Sequence, residues 1–165
     1  MPRVRFIHPM YSFGADYTHI AVPRGEAPLA ALRNMQQELE GTEDLIAIYI
    51  PESTLEHYDS SDREHGRIVA LVRLAPMPQG RSEEDYGYPD WDSTDRWPHG
   101  WPCTVVRMLQ PAEQPTLRGL VEIYHPSVAY VNYVARLQIM PIRLDGDPIG
   151  DELTRRFCPA QRLTP

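Results

Sequence analysis

Arg67-Ile68-Val69-Ala70-Leu71-Val72-Arg73-Leu74 (RIVALVRL) and the shorter run Leu45-Ile46-Ala47-Ile48-Tyr49-Ile50 (LIAIYI) decide the fold class of this chain. Both read as strands: they are short, apolar, and rich in side chains that suit a pleated, half-buried surface. Upstream, Arg3 to Pro9 alternates enough (Val4, Phe6) to be a first strand, and Tyr17 to Val22 a second. Between them His8-Pro9 and Phe13-Gly14 read as turn signals. Pro28 to Leu39 is the best helix, with Leu29, Leu32, Met35 and Leu39 at helical spacing and Gly41 as its stop. Residues 51–65 are polar and charged and read as a connecting loop.

Downstream, Thr104 to Leu109 is expected as a strand. Leu117 to Tyr124 reads as a short helix, since Leu117, Leu120, Val121 and Tyr124 share one face. Tyr133 to Ile142 is expected to mix a turn with a strand ending at Met140-Pro141, and Gly150 to Phe157 to form a last short helix. The tail after Pro159 is expected to be loose. Five or six short strands, one long helix and two small ones predict an α+β domain. A sheet so small and curved closes toward a barrel to remove its edges. The 165 residues fit a single domain, with no internal repeat and no linker to divide it.

All three tryptophans, Trp91, Trp97 and Trp101, fall in the proline-punctuated stretch Ser82 to Pro102, which reads as a loop between two strands. Such a cluster either closes over a core or lines a pocket for something flat. Six acidic residues between Glu83 and Asp95 make the loop unwelcoming to phosphate. Trp101 reads first as a core residue, because Trp101-Pro102 leads directly into a strand. The formal charge is −7, and all sixteen basic residues are arginine. Duplex nucleic acid normally needs a net basic surface, so a nucleic-acid role here requires a local groove and a pocket. No stretch approaches the ~20 apolar residues of a membrane span, and a cytoplasmic protein without membrane contact is expected. Cys103 and Cys158 read as two unpaired, buried thiols.

Four stretches resemble the EVE domain, a member of the PUA-like superfamily that also contains YTH and ASCH domains. Leu32-Arg33-Asn34-Met35-Gln36 is similar to the signature that opens that family's helix. Thr42-Glu43-Asp44 with Leu45 to Tyr49 resembles its next strand, Gly66 to Leu74 the strand after it, and Tyr133 to Ile142 (YVARLQIMPI) its late arginine strand. The likeness spans residues 27 to 157 in order. This chain departs at aromatic and polar lining positions: Pro28 to Ala31 stands where the family carries a tryptophan, Phe6 where it has another, and Tyr49 to Ser53 where it has Tyr-His-Ser.

The resemblance implies a PUA-like curved barrel and a reader that holds a modified base of DNA or RNA in an aromatic-lined pocket. Extruding a base costs a few kcal/mol and stacking returns about 1–3 kcal/mol, so shape and hydrogen bonds must discriminate. On this reading Arg33 and Asn34 sit at a pocket mouth bordered by Tyr49. Ser53 adds a polar contact, Trp97 and Trp101 furnish a wall, and Arg136 with Gln138, on one face of the late strand, binds phosphate or a base edge. Each has a plainer alternative. Arg33 is solvated, Asn34 bonds locally, Tyr49 and Trp101 belong to the core, and Arg136 is a buried structural arginine. His57, Asp59, Asp62 and His65 match no metal-ligand spacing. No nucleophile or phosphate-loop motif is found, so neither an enzyme, a metal nor a cofactor is expected. The rival readings are a protein-interaction or small-molecule module using the acidic tryptophan loop 82–102, and more weakly an ASCH-like hydrolase acting on nucleic acid.

Overall fold

All six residues of Leu45–Ile50 are buried, which a strand achieves only when both faces of its sheet are covered. That run forms β3 in a computed structural model that describes residues 2–10, 13–23, 25–52, 65–76, 99–138 and 141–158, apart from the side chains of Arg136 and Gln138. In chain order the other elements are β1 (Val4–Pro9), β2 (His19–Val22), α1 (Glu26–Leu39), β4 (Arg67–Leu74), β5 (His99–Met108), α2 (Leu117–Tyr124), α3 (Tyr130–Val134), β6 (Ile142–Arg143) and α4 (Pro148–Phe157). The strands make a six-stranded sheet in the order β2-β5-β4-β3-β1-β6. β1 and β3 run parallel; the remaining pairs are antiparallel.

The sheet curls into a half-barrel and separates two apolar cores. On the concave face Phe6 of β1, Ile20 of β2, Ile46 and Ile48 of β3, Val72 of β4 and Trp101 of β5 pack with Leu32, Met35 and Leu39 of α1. On the convex face the intervening residues of β1, β3 and β4, among them Ile7, Ala47, Tyr49 and Leu71, pack with α2, α3 and α4. Alternation along β1, β3 and β4 assigns the faces, and cover on both sides of these strands removes the polar positions that an exposed face would need; β5 keeps Thr104 and Val106 exposed. The result is the α+β architecture with a small curved sheet. Among the described residues, no helix is long and apolar enough to cross a membrane.

α1 starts two residues before Pro28, which the first turn tolerates because its missing N–H would have no helical partner there. α4 packs so closely on its surroundings that a Cβ on Gly150 would stand 2.9 Å from Leu144 Cβ, just after β6, and 3.5 Å from the Val4 carbonyl of β1. Asp147 caps α4 by accepting from Ile149 N at 2.9 Å.

Three expectations are corrected. His8 and Pro9, also read as a turn or loop signal, do not turn the chain; both belong to β1, within the expected strand Arg3 to Pro9. β5 starts at His99, so Trp101 lies inside a strand rather than in the loop that precedes it. Among the described residues the stretch after Tyr133 begins as helix. Tyr130–Val134 is helical and Ala135–Gln138 continues as a 3-10 turn, and Ile142–Arg143 is strand. Tyr130, Tyr133, Val134 and Leu137 all pack on the convex core, an i, i+3, i+4, i+7 pattern that a helix satisfies and a strand does not.

Candidate functional site

His8 is the residue that the concave face holds apart from its apolar surroundings. It follows Phe6 by two in β1 and precedes Met10 by two, and both of these pack into the concave core. The imidazole is only 1% exposed. Its Nε2 lies 2.8 Å from the carbonyl oxygen of Ala21. A carbonyl can only accept, so Nε2 carries the proton and Nδ1 is left as a lone-pair acceptor. This bond reaches from β1 to β2, strands that are not neighbours in the sheet, and so ties the half-barrel across its opening. Nδ1 is sealed from solvent and has no partner among the described residues. Burial pulls the imidazole pKa down from its ordinary value to about 4, outweighing the bond to Ala21, so the ring is neutral at pH 7.

Aromatic side chains belong to the same core. Trp101 is fully buried and opposes Ile20 in the β2–β5 ladder, next to the Ala21 that His8 contacts. Its Nε1 donates to the carbonyl of Ala75, the partner a buried indole requires. Phe13 is buried in the same core, and Tyr17 packs on it with ring centroids 5.1 Å apart. His8 stands inside the expected first strand, Arg3 to Pro9, where the sequence reading assigns it no role. The available signal was its register, two residues from Phe6 and two from Met10 on one face of the strand.

The residues expected at a single pocket mouth are divided by the sheet. Arg33 and Asn34 lie on α1, which covers the concave face; Arg33 is half-buried and Asn34 exposed. Tyr49 belongs to the convex core, so it does not border a pocket with them. Trp101 shares the concave core with α1, as a core residue. Ser53, Trp91 and Trp97 lie outside the described residues, as do His57, Asp59, Asp62 and the side chains of Arg136 and Gln138. The backbone of Arg136 and Gln138 is in the 3-10 turn, so the strand alternation that placed them on one face does not apply.

On the convex side Tyr49 makes a saturated set. Its hydroxyl lies 2.7 Å from that of Tyr130, and Arg118 stacks on the Tyr130 ring at 4.2 Å. Arg118 donates two bonds to Glu52, through Nε at 3.4 Å and Nη2 at 3.1 Å. Burial and the bond to Tyr130 push the Tyr49 phenol far above its ordinary pKa. Farther along this side, the Asp147 carboxylate accepts from Tyr133 Oη at 2.9 Å and faces His125 Nε2 at 2.8 Å. Together these bonds join the end of α2 to the start of α4.

Arginine charge is largely neutralised within the fold. Arg5 pairs with Asp145 at 3.3 Å and Asp44 at 3.4 Å, and the Asp145 bond raises its pKa. Arg143 joins the same group through Glu38, Arg107 pairs with Glu113, and Arg155 and Arg156 share Glu152. Both cysteines are free, Cys158 buried and Cys103 half-buried. Burial pushes the Cys103 thiol up to about 12 and raises Cys158 as well, which keeps both protonated and poorly nucleophilic. Among the described residues no cluster of histidine, cysteine and carboxylate side chains fits a metal ion; His65 Nδ1 lies 3.3 Å from the carbonyl of Pro51.

No protein-family model, no curated protein and no solved structure matches the chain.

Proposed function

We propose that this chain is a PUA-like domain of EVE type that binds a modified base or nucleotide on the concave side of its curled sheet. The observation that carries the reading is the composition of that side. Aromatic rings of Trp101, Phe13 and Tyr17 share this side with two buried, neutral hydrogen-bonding groups, His8 and, on α1, Gln36, whose amide already donates to Glu40. A nucleobase asks for that combination: π-faces for its plane and a few polar atoms for its edge. Arg33 and Asn34 remain candidates at the rim, since α1 covers this face. Tyr49 is reassigned to the structure of the opposite face.

Recognition on this reading is by pocket rather than by phosphate. The net charge is −7, and Arg3, Arg5, Arg107, Arg118, Arg143 and the Arg155–Arg156 pair already meet carboxylates. Few condensed counterions would be released, so affinity should depend weakly on salt. The test is a binding screen of modified against unmodified oligonucleotides at two salt concentrations. Preference for a modified strand, a log–log salt slope no steeper than about −1 to −2, and weakening by Arg33→Ala are expected. Absence of binding to every oligonucleotide would discard the reading.

The rival interaction-module reading is favoured by exposed apolar side chains along α2 and α3, Ile123 at 64% and Val131 at 68% exposure. If that surface drives association, Val131→Asp should change the sedimentation behaviour of the protein or its complexes while leaving oligonucleotide binding intact.

A further inference from the structure

Three buried side-chain acceptors lack a hydrogen-bond partner among the described residues: Glu38 Oε2, Gln114 Oε1 and His8 Nδ1. Glu38 Oε2 faces the Arg5 guanidinium at 4.0 Å, which supplies opposite charge. Gln114 sits in the connection that leads into α2, beside the exposed residues Gln110, Pro111 and Ala112, where its Nε2 donates to the Leu109 carbonyl at 3.1 Å, away from the concave core. His8 is different. Its ring is fixed by the Ala21 bond, its strand neighbours on the same face are Phe6 and Met10, and Nδ1 touches no solvent. Leaving such an acceptor unsatisfied costs about 1–3 kcal/mol, a cost the fold carries within its concave core, among Phe6, Phe13 and Trp101.

We propose that His8 Nδ1 is the base-reading atom of the site, and that the ligand of this domain presents a neutral N–H donor to it. This rests on the base-binding reading above and adds the polarity of the contact. With the Nε2 proton committed to the Ala21 carbonyl, Nδ1 can accept and cannot donate. Phosphate, carboxylate and a bare carbonyl edge would set lone pair against lone pair. A ring lactam or imide N–H, or an exocyclic amine, would satisfy it. Gaining a positive charge is no remedy, since burial disfavours the imidazolium at neutral pH. Because Nδ1 is sealed, the ligand reaches it only when the covering side chains part. Association should then fall below the usual encounter rates for docking without conformational change.

The test pairs nucleosides that differ in one ring N–H: uridine with N3-methyluridine, and inosine with N1-methylinosine. Each is titrated into the full chain, with inorganic phosphate as a separate anionic probe. The histidine ring nitrogens are followed by ¹⁵N NMR in the wild-type protein. Selective loss of binding on N-methylation, about ten- to a hundredfold, with the His8 Nδ1 resonance moving toward that of a hydrogen-bonded acceptor, is expected. His8→Phe should abolish the preference between pair members. The wild-type NMR readout decides the matter should that variant fail to fold. Equal binding of both pair members with Nδ1 unmoved, or tighter binding of phosphate than of any nucleoside, overturns the proposal while a surviving oligonucleotide preference leaves the reader intact. Failure of every nucleoside and oligonucleotide to bind overturns both.

Discussion

The two faces of this sheet take alternate residues of β1, β3 and β4, yet they treat polar groups differently. On the convex face polar atoms come in interlocked sets, with Gln114 Oε1 the exception among the described residues. Tyr49, Tyr130, Arg118 and Glu52 form one, and His125, Tyr133 and Asp147 form another. On the concave face Trp101 has its one donor satisfied, and His8 has one nitrogen of two. Interlocked sets rigidify a structure and leave little for a ligand to improve. A sealed acceptor among aromatic rings is where a ligand gains most. The difference teaches where to look for function: the denser cluster of polar residues is the less promising one.

The comparison can be broken most severely at Trp101. Its replacement by Ala empties the largest fully buried side chain of the concave core and should cost about 3–5 kcal/mol, read from denaturant unfolding. A loss below about 1 kcal/mol would mean that this face is not closed by the indole. Next comes the pH dependence of His8, whose pKa is lowered from 6.5 to about 4 on folding. The unfolded chain therefore binds more protons between these values, so stability rises with pH across the window and is lost as pH falls from 6.5 to 4. The His8 contribution is about 3 kcal/mol. Unfolding midpoints of wild type and His8→Asn, compared at pH 4.5 and 7, should show the wild type losing more on acidification. Equal slopes would place His8 in a polar, hydrated setting.

On the convex side the effects should be smaller. Gly66 has φ +76° and a Cβ there would lie 2.9 Å from Glu52 Cγ, so Gly66→Ala should destabilise by at least about 1 kcal/mol. Tyr49→Phe and Tyr130→Phe should each cost about 0.5–1.5 kcal/mol. The double variant should cost less than their sum, since one bond is shared; strict additivity would separate the two hydroxyls. Arg118→Gln should leave the melting temperature unchanged within error, because the pair with Glu52 is half exposed and screened. A clear drop would show that Arg118 holds Tyr130 in place.

Much of the fold was legible because burial left a pattern. β3 and β4 stand where their apolar runs do, and α2 where Leu117, Leu120 and Val121 share a face. The late segment misled because Arg136 and Gln138 alternate like strand residues, while Tyr133 and Leu137 four apart set the helical period that governs packing. The site was less legible. Arg33 and Tyr49 are close in sequence, but nothing local records that one element covers the concave face and the other residue points to the convex one.

The sequence by itself determined the elements that repeat their own period: the main helix, the central strands and the α+β class. Local propensity and apolar spacing act within a few residues of each other and are written in the chain directly. The tertiary structure decided which face each residue serves. It put Trp101 inside a strand and a core, set Tyr49 opposite Arg33, and left His8 with an acceptor that only its surroundings make unusual. Curvature and strand order bring β1 against β2 with β5, β4 and β3 between them, and a contact made by closing a sheet has no signature in the neighbouring residues.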